Sequence, residues 1–240
     1  MREQITINKG RIGNEIEGMG EPHLICALLV DTSGSMELHG AINSLNESIE
    51  RFKQGLVNDP IARKRVEVAL IEFNTNVNMI NDFCPVSNMP TPQLTAYGYT
   101  SMGEGIKVAV DRVLERRKLH GALGTPQHKP WIFMITDGKS NSDVKVMREA
   151  EELIRQEEAK GHLNFWAIGV GDYDSSELFR LTKRVVELKS FDFTNIFDWL
   201  LESVSTISQS QVGETVAIQP LPEDARKADP ERSIEQGWLS

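Results

Sequence analysis

Short apolar runs alternate with amphipathic stripes along most of this chain, and that alternation restricts the fold more than any other feature. Leu24-Ile25-Cys26-Ala27-Leu28-Leu29-Val30 and Trp131 to Thr136 are apolar at odd and even positions alike, so as strands they need cover on both faces. His162 to Val170 repeats the pattern, and Val66 to Phe73 does so with two interruptions, Glu67 and Glu72. Between these runs, apolar residues recur at intervals of three and four: Leu38, Ile42, Leu45, Ile49, Phe52 and Leu56, then Met102, Ile106, Ala109, Val110 and Val113. Val144, Met147, Ala150 and Ile154 form a third stripe, and Phe193, Phe197, Leu200, Val204 and Ile207 a fourth. Each predicts a helix with one buried face. Strands separated by helices predict an α/β fold with a doubly wound, mainly parallel central sheet and helices on both faces. Asn74-Thr75-Asn76 is a turn signal that predicts a hairpin from Val66–Phe73 into Val77–Ile80. Leu178 and Leu181 suggest a short helix, and Val185 to Leu188 reads as a short edge strand; one short antiparallel edge is expected.

The chain has 240 residues, enough for one sizeable core. Residues 1–21 read as an N-terminal extension, 22–208 as the domain, and 209–240 as a partly disordered tail containing Pro220, Pro222 and Pro230. The formal charge of −9, from 35 acidic and 26 basic residues, argues against nucleic acid as a partner. No stretch approaches the roughly 20 apolar residues that span a bilayer, and residues 1 to 22 contain no signal-peptide core, which predicts a cytoplasmic protein. Cys26 and Cys84 have no metal or redox spacing. Cys26 reads as a small core residue. His23, His39, His120, His128 and His162 show no ligand spacing and read as surface or strand-end residues. The run from Glu149 to Glu158 reads as a solvated helix face, paired with Arg155 and Lys160 at i, i+4.

At the end of the first apolar run stand Asp31-Thr32-Ser33-Gly34-Ser35. In a sheet of this kind ligands collect beyond the carboxyl ends of the strands. Thr100, Asp137, Asp172 and Asp174 are predicted on the same edge. Asp31, Ser33 and Ser35 alternate, so they can project to one point, with Thr100 and Asp137 completing the set. All are oxygen donors, which suits a hard cation such as Mg²⁺; Mn²⁺ and Ca²⁺ suit the same donors. The bland alternative for the pentapeptide is a helix N-cap, and a loop or N-cap role is favoured for Asp172 and Asp174. Two carboxylates only neutralise a divalent ion, so a hydroxyl-rich site wants an anionic ligand from outside: an Asp or Glu of a protein partner. Tyr97, Tyr99 and Tyr173 fall in loops on that edge and are candidate partner contacts.

Asp31-Thr32-Ser33-Gly34-Ser35, Thr100 and Thr136-Asp137-Gly138 together resemble the metal-ion-dependent adhesion site of von Willebrand factor A (vWA) domains. The resemblance covers roughly residues 22 to 208 and implies a Rossmann-like fold. It further implies that Ser33 and Ser35 coordinate the ion directly, Thr100 in the ligand-ready state, and Asp31 and Asp137 directly or through water. The segment from Trp199 to Ser208, with the Gly-Glu and Pro-containing stretch after it, looks like the bacterial TerY-like group. That resemblance implies a place in tellurium-resistance, stress or defence systems.

The function expected is therefore a non-enzymatic, metal-dependent protein-binding module. The alternative is a phosphoryl-transfer hydrolase with Asp31 as nucleophile. That pattern wants a second Asp two residues on, where Ser33 stands, and no P-loop or nucleophile elbow occurs elsewhere. A further hypothesis is that the tail docks on the metal face of another copy or on a partner, its acidic residues Glu223, Asp224 and Glu231 supplying the outside ligand.

Overall fold

A computed structural model describes residues 20–91 and 93–229. The first apolar run forms β1 (Leu24–Asp31). A 3-10 segment at Gly34–Gly40 leads into helix α1 (Ala41–Asn58). Next come β2 (Val66–Phe73) and β3 (Val77–Pro85), joined at the expected turn. Helix α2 (Met102–Leu123) precedes β4 (Trp131–Thr136), and α3 (Val144–Ala159) precedes β5 (Asn164–Val170). The chain closes with α4 (Ser175–Leu181), β6 (Val185–Leu188), α5 (Thr194–Gln209) and β7 (Ala225–Lys227).

The strands make one seven-stranded sheet in the order β3-β2-β1-β4-β5-β6-β7. β2, β1, β4, β5 and β6 run parallel, and the two edges, β3 and β7, run antiparallel to their neighbours. This is the doubly wound fold that the alternation of runs and stripes demands. Every residue of β1 is buried because its alternate side chains enter two cores. Leu24, Cys26, Leu28 and Val30 pack with α1 and α5; Ile25, Ala27 and Leu29 pack with α2 and α3. Burial also pushes the Cys26 thiol up to about 12, as expected of an inert core residue. Among the described residues no helix is long and apolar enough to cross a membrane.

Three expectations need correction. Leu38 is not part of the α1 stripe: it is 60% exposed with φ −67° and ψ 146°, and His39 beside it has φ 55°. The chain must turn out of the loop after Ser35 before a helix can start, so α1 begins only at Ala41. Second, β6 is interior, because β7 pairs with it through Val186, Glu187 and Leu188.

That strand belongs to the third correction, the tail. Val216, Ile218 and Leu221 pack against the core of α1 and α5, and the Trp199 indole donates to the Gln219 carbonyl at 2.8 Å. Three apolar contacts and a short ladder anchor this stretch despite its prolines. Asp224 is committed locally, its carbonyl accepting from Lys189 N and its Oδ2 from Asn195. The tail up to Asp229 thus packs on its own domain, with Asp224 committed there; Glu231 lies outside the described residues. Truncation after Gln209 is expected to cost about 3 kcal/mol from the lost apolar burial, or roughly 6–12 °C in Tm. Calorimetric melting of the truncated chain checks this.

Candidate metal centre

β1 and β4 flank the point where the strand order reverses, since the chain leaves β1 for β2 on one side and β4 lies on the other. Side chains beyond the carboxyl ends of these two strands face a shared crevice. Asp31 is the last residue of β1 and Asp137 follows β4 directly. The Asp31 carboxylate accepts from Ser33 N at 2.8 Å through Oδ1 and from the Thr136 hydroxyl at 2.6 Å through Oδ2. Ser33 and Ser35 hydroxyls lie 3.1 Å apart, and Ser35 Oγ donates to Asp137 Oδ1 at 2.8 Å. Oxygens from two strand ends thus meet within hydrogen-bond distance. A Cβ on Gly138 would stand 3.9 Å from both Ser35 Oγ and Thr100 Oγ1, which brings the Thr100 loop to the same spot. Glycine leaves that spot open. All five predicted residues belong to one locality: Asp31, Ser33, Thr100 and Asp137 are buried, and Ser35 is exposed at its mouth.

Burial pushes the Asp31 carboxyl up to about 6, against the lowering by its Thr136 and Ser33 hydrogen bonds, with Asp137 raising it further. Burial raises Asp137 as well, opposed by Ser35. Two destabilised carboxylates beside three hydroxyls form an oxygen-only donor set that lacks positive charge. This chemistry fits a hard divalent cation and offers nothing to a soft one.

Of the other predicted residues, Tyr97 and Tyr99 are exposed beside the site, and Tyr97 N donates to the Thr32 carbonyl at 2.9 Å. Tyr173 is different. Its ring lies against Gly169, where any side chain would collide with it. Burial and neighbouring Glu187 push its hydroxyl up to about 12, so it reads as a packing residue of the β5–β6 region. Asp174 caps α4, accepting from Glu177 N. The Glu-rich face of α3 reaches neighbouring elements: Glu149 pairs with Lys107, Glu151 with Arg180 and Glu158 with Arg184, while Arg155 and Lys160 pair at i, i+3.

Several residues that build the surroundings carry no signal in the sequence. Thr136, quoted above only as part of a motif, orients Asp31. Asn141 brackets Thr100, accepting from its N–H and donating to its carbonyl. Local spacing carries no signal for such contacts.

A second cluster lies at the opposite end of the sheet, and here the reading of one histidine is overturned: His120 is neither on the surface nor at a strand end but buried on α2, whereas His23 does stand at a strand end, directly before β1. His23 and His120 are fully buried, with potential ligand atoms within 4.8 Å of one another and of Glu67. Arg116, however, grips Glu67 through Nε at 2.6 Å and Nη2 at 3.0 Å. The carboxylate is therefore already neutralised by a bidentate partner. A divalent ion would leave two positive charges uncompensated in a buried space, so the cluster reads as a structural ion pair.

The family model for the von Willebrand factor type A domain matches residues 26–199. This chain belongs to that family. No curated protein sequence matches it closely enough to count as a relative. Among solved structures, a von Willebrand factor type A protein from Catenulispora acidiphila superposes with a TM-score of 0.61 at 15% identity, over 77% of this chain and 43% of that one. Proximal thread matrix protein 1 from the mussel byssus gives 0.57 at 19%, covering 87% and 49%. The same mussel protein with a zinc-occupied MIDAS motif gives 0.54 at 20%, covering 80% and 47%. This vWA chain spans less than half the length of each, and at these identities the likeness is one of fold.

Proposed function

We propose that this vWA domain is a metal-dependent protein-binding module, with an intact adhesion-type site that holds Mg²⁺ and captures an acidic side chain of a partner. The observation that carries this reading is the convergence of three hydroxyls and two carboxylates at the β1–β4 crevice. Asp31, Ser33, Ser35, Thr100 and Asp137 would hold the ion. When bound, the ion supplies a coordination position for a carboxylate from outside. Ser35 at the mouth keeps the site accessible, and the hydroxyls add no charge to compete with an incoming anion.

The surface around the site supports a protein partner. Six large hydrophobic residues are exposed among those described; three of them, Leu38, Tyr97 and Tyr99, sit on the segments that carry or bracket the five donors, and a fourth, Val144, opens α3 after the Asp137 loop and is exposed rather than on the buried stripe of that helix. Tyr97 and Tyr99, 45% and 69% exposed, are the contacts expected to matter most, since aromatic anchors dominate interface energetics. Binding is favoured over catalysis because Ser33 stands where a phosphoryl-transfer site of this kind would place a second Asp, and no P-loop or nucleophile elbow occurs elsewhere in the sequence. The TerY-like ending of α5 and the following stretch favour a role in a bacterial stress or tellurium-resistance system, in the cytoplasm.

Calorimetric titration with Mg²⁺ and Mn²⁺, paired with partner capture in metal and in chelator, tests the proposal. The expected result is saturable binding of a single ion and capture that chelator abolishes. Capture unchanged in chelator would overturn the bridging mechanism, and phosphatase turnover lost on replacing Asp31 would favour the enzyme.

A further inference from the structure

Asp31 ends β1, Asp137 follows β4 directly and Ser33 stands two residues past β1, but Thr100 stands in the connection between β3 and α2 and has no strand beside it. The Asp31 loop holds residues 97 and 98 of that connection, with Tyr97 N donating to the Thr32 carbonyl and Gly34 N to the Gly98 carbonyl, and the outside contacts on residues 99 to 101 come from two other loops. On one side is the β2–β3 turn. Asn74 Nδ2 donates to Thr32 Oγ1 at 2.9 Å, tying that turn to the Asp31 loop, and the Asn74 carbonyl accepts from Ser101 N at 2.8 Å. Thr75 Oγ1 accepts from Tyr99 N at 3.0 Å, and the Thr75 carbonyl accepts from the Ser101 hydroxyl at 3.1 Å. Gly98, at φ +75°, permits this approach, because any side chain there would strike Thr75 Oγ1. On the other side is Asn141, from the Asp137 loop. Its Oδ1 accepts from Thr100 N at 3.0 Å and its N–H donates to the Thr100 carbonyl at 2.8 Å.

The peptide groups at 99, 100 and 101 are therefore each gripped from outside their own loop. We propose that Asn74, Thr75 and Asn141 are positioning residues that hold the Thr100 hydroxyl in register with Asp31 and Asp137, so that the site is assembled before the ion arrives. This inference rests on the metal-binding reading above. Its physical basis is preorganisation: a ligand already in place does not have to be ordered on binding, and loss of such outer hydrogen-bond partners costs about 10–100-fold in metal affinity. Thr75 and Asn141 are exposed, so replacing them leaves both cores intact.

Mg²⁺ affinity measured by calorimetry on the full chain is expected to fall about 10-fold in Thr75→Val and in Asn141→Ala, with Thr75→Ser close to wild type. Melting in chelator is expected to stay within about 2 °C for all three. A readout independent of metal is amide exchange in chelator. The Tyr99 amide is expected to be slow in wild type and faster in Thr75→Val, and the Thr100 amide slow in wild type and faster in Asn141→Ala. Wild-type affinity in both variants, in a protein whose binding is lost in Asp31→Asn, would overturn the positioning role and leave the metal site standing. Amides that exchange as fast in wild type as in the variants would also overturn it. A wild-type chain that binds no Mg²⁺ would overturn the proposed function and this inference together.

Discussion

Replacing Asp31 by Asn is expected to have opposite effects on ion binding and on the stability of the ion-free fold. Mg²⁺ affinity should fall by more than the roughly 10–100-fold that loss of an outer hydrogen-bond partner costs, because a charged donor at the back of the site becomes neutral. In chelator the same variant should melt higher than wild type. Asp31 is fully buried, and burial lifts its carboxyl from 3.8 to about 6. For an acid whose folded value is raised, the ionised form costs stability above the folded pKa, and the cost disappears as the pH falls below the unfolded one. The cost at neutral pH is on the order of 1–3 kcal/mol, taking about 1.4 kcal/mol per unit. Asn can keep the hydrogen bonds of the site, with Oδ1 accepting from Ser33 N and Nδ2 donating to the Thr136 hydroxyl, so the change removes charge with little change of shape. The Tm of the chelated variant should rise by roughly 2–12 °C at pH 7.5. Chelated wild type should stabilise toward pH 4 in a way the variant does not. Calorimetric melts of both proteins across pH, with and without Mg²⁺, measure this; a chelated variant that melts below wild type would show that the carboxylate is not under strain.

What the sequence made legible follows from which interactions are local. The runs of β1, β2, β4 and β5 were readable because a strand buried on both faces is apolar at nearly every position, and the helices because a one-sided core imposes a period. The donor residues were readable for a related reason: Asp31, Ser33 and Ser35 sit within five positions, and Thr100 and Asp137 each border a strand or helix boundary. The tail was not readable. Val216, Ile218, Leu221 and Ala225 pack against elements distant in sequence, and no period marks them. The same holds for β6, whose outer partner lies beyond the whole of α5, and for Asn141 and Thr75, which act on peptide groups far off in sequence. The buried histidines were hidden most completely, because the partner that makes their burial tolerable, Glu67, looked like a mere interruption of an apolar strand.

Glu67 should prove one of the costliest residues to lose, although it lies at the end of the sheet away from the candidate metal centre. It is 2% exposed on β2. Burial alone would raise its carboxyl, but hydrogen bonds from His120 and Arg116, the His23 imidazole 3.6 Å away and the Arg116 charge outweigh burial and hold it well below the usual carboxylate range. A depressed folded pKa gives stability that is fully present above the unfolded value of 4.5 and is lost only as the pH falls toward the folded one. The pair therefore contributes its full share at neutral pH. Glu67→Ala leaves Arg116, whose side chain is 9% exposed, without its partner beside two buried imidazoles. Breaking a buried pair in this way costs about 3–5 kcal/mol, or roughly 6–20 °C in Tm. The pair itself is not intrinsically stabilising against an apolar replacement of similar volume, so Glu67→Leu combined with Arg116→Met should recover most of the loss. Melting of the single and double variants in chelator separates these contributions. Mg²⁺ affinity, measured below the melting range, should stay at the wild-type value in both, because no donor loop touches Glu67. A single variant that melts within about 1 kcal/mol of wild type would mean that Arg116 escapes to solvent and that the cluster carries no buried charge.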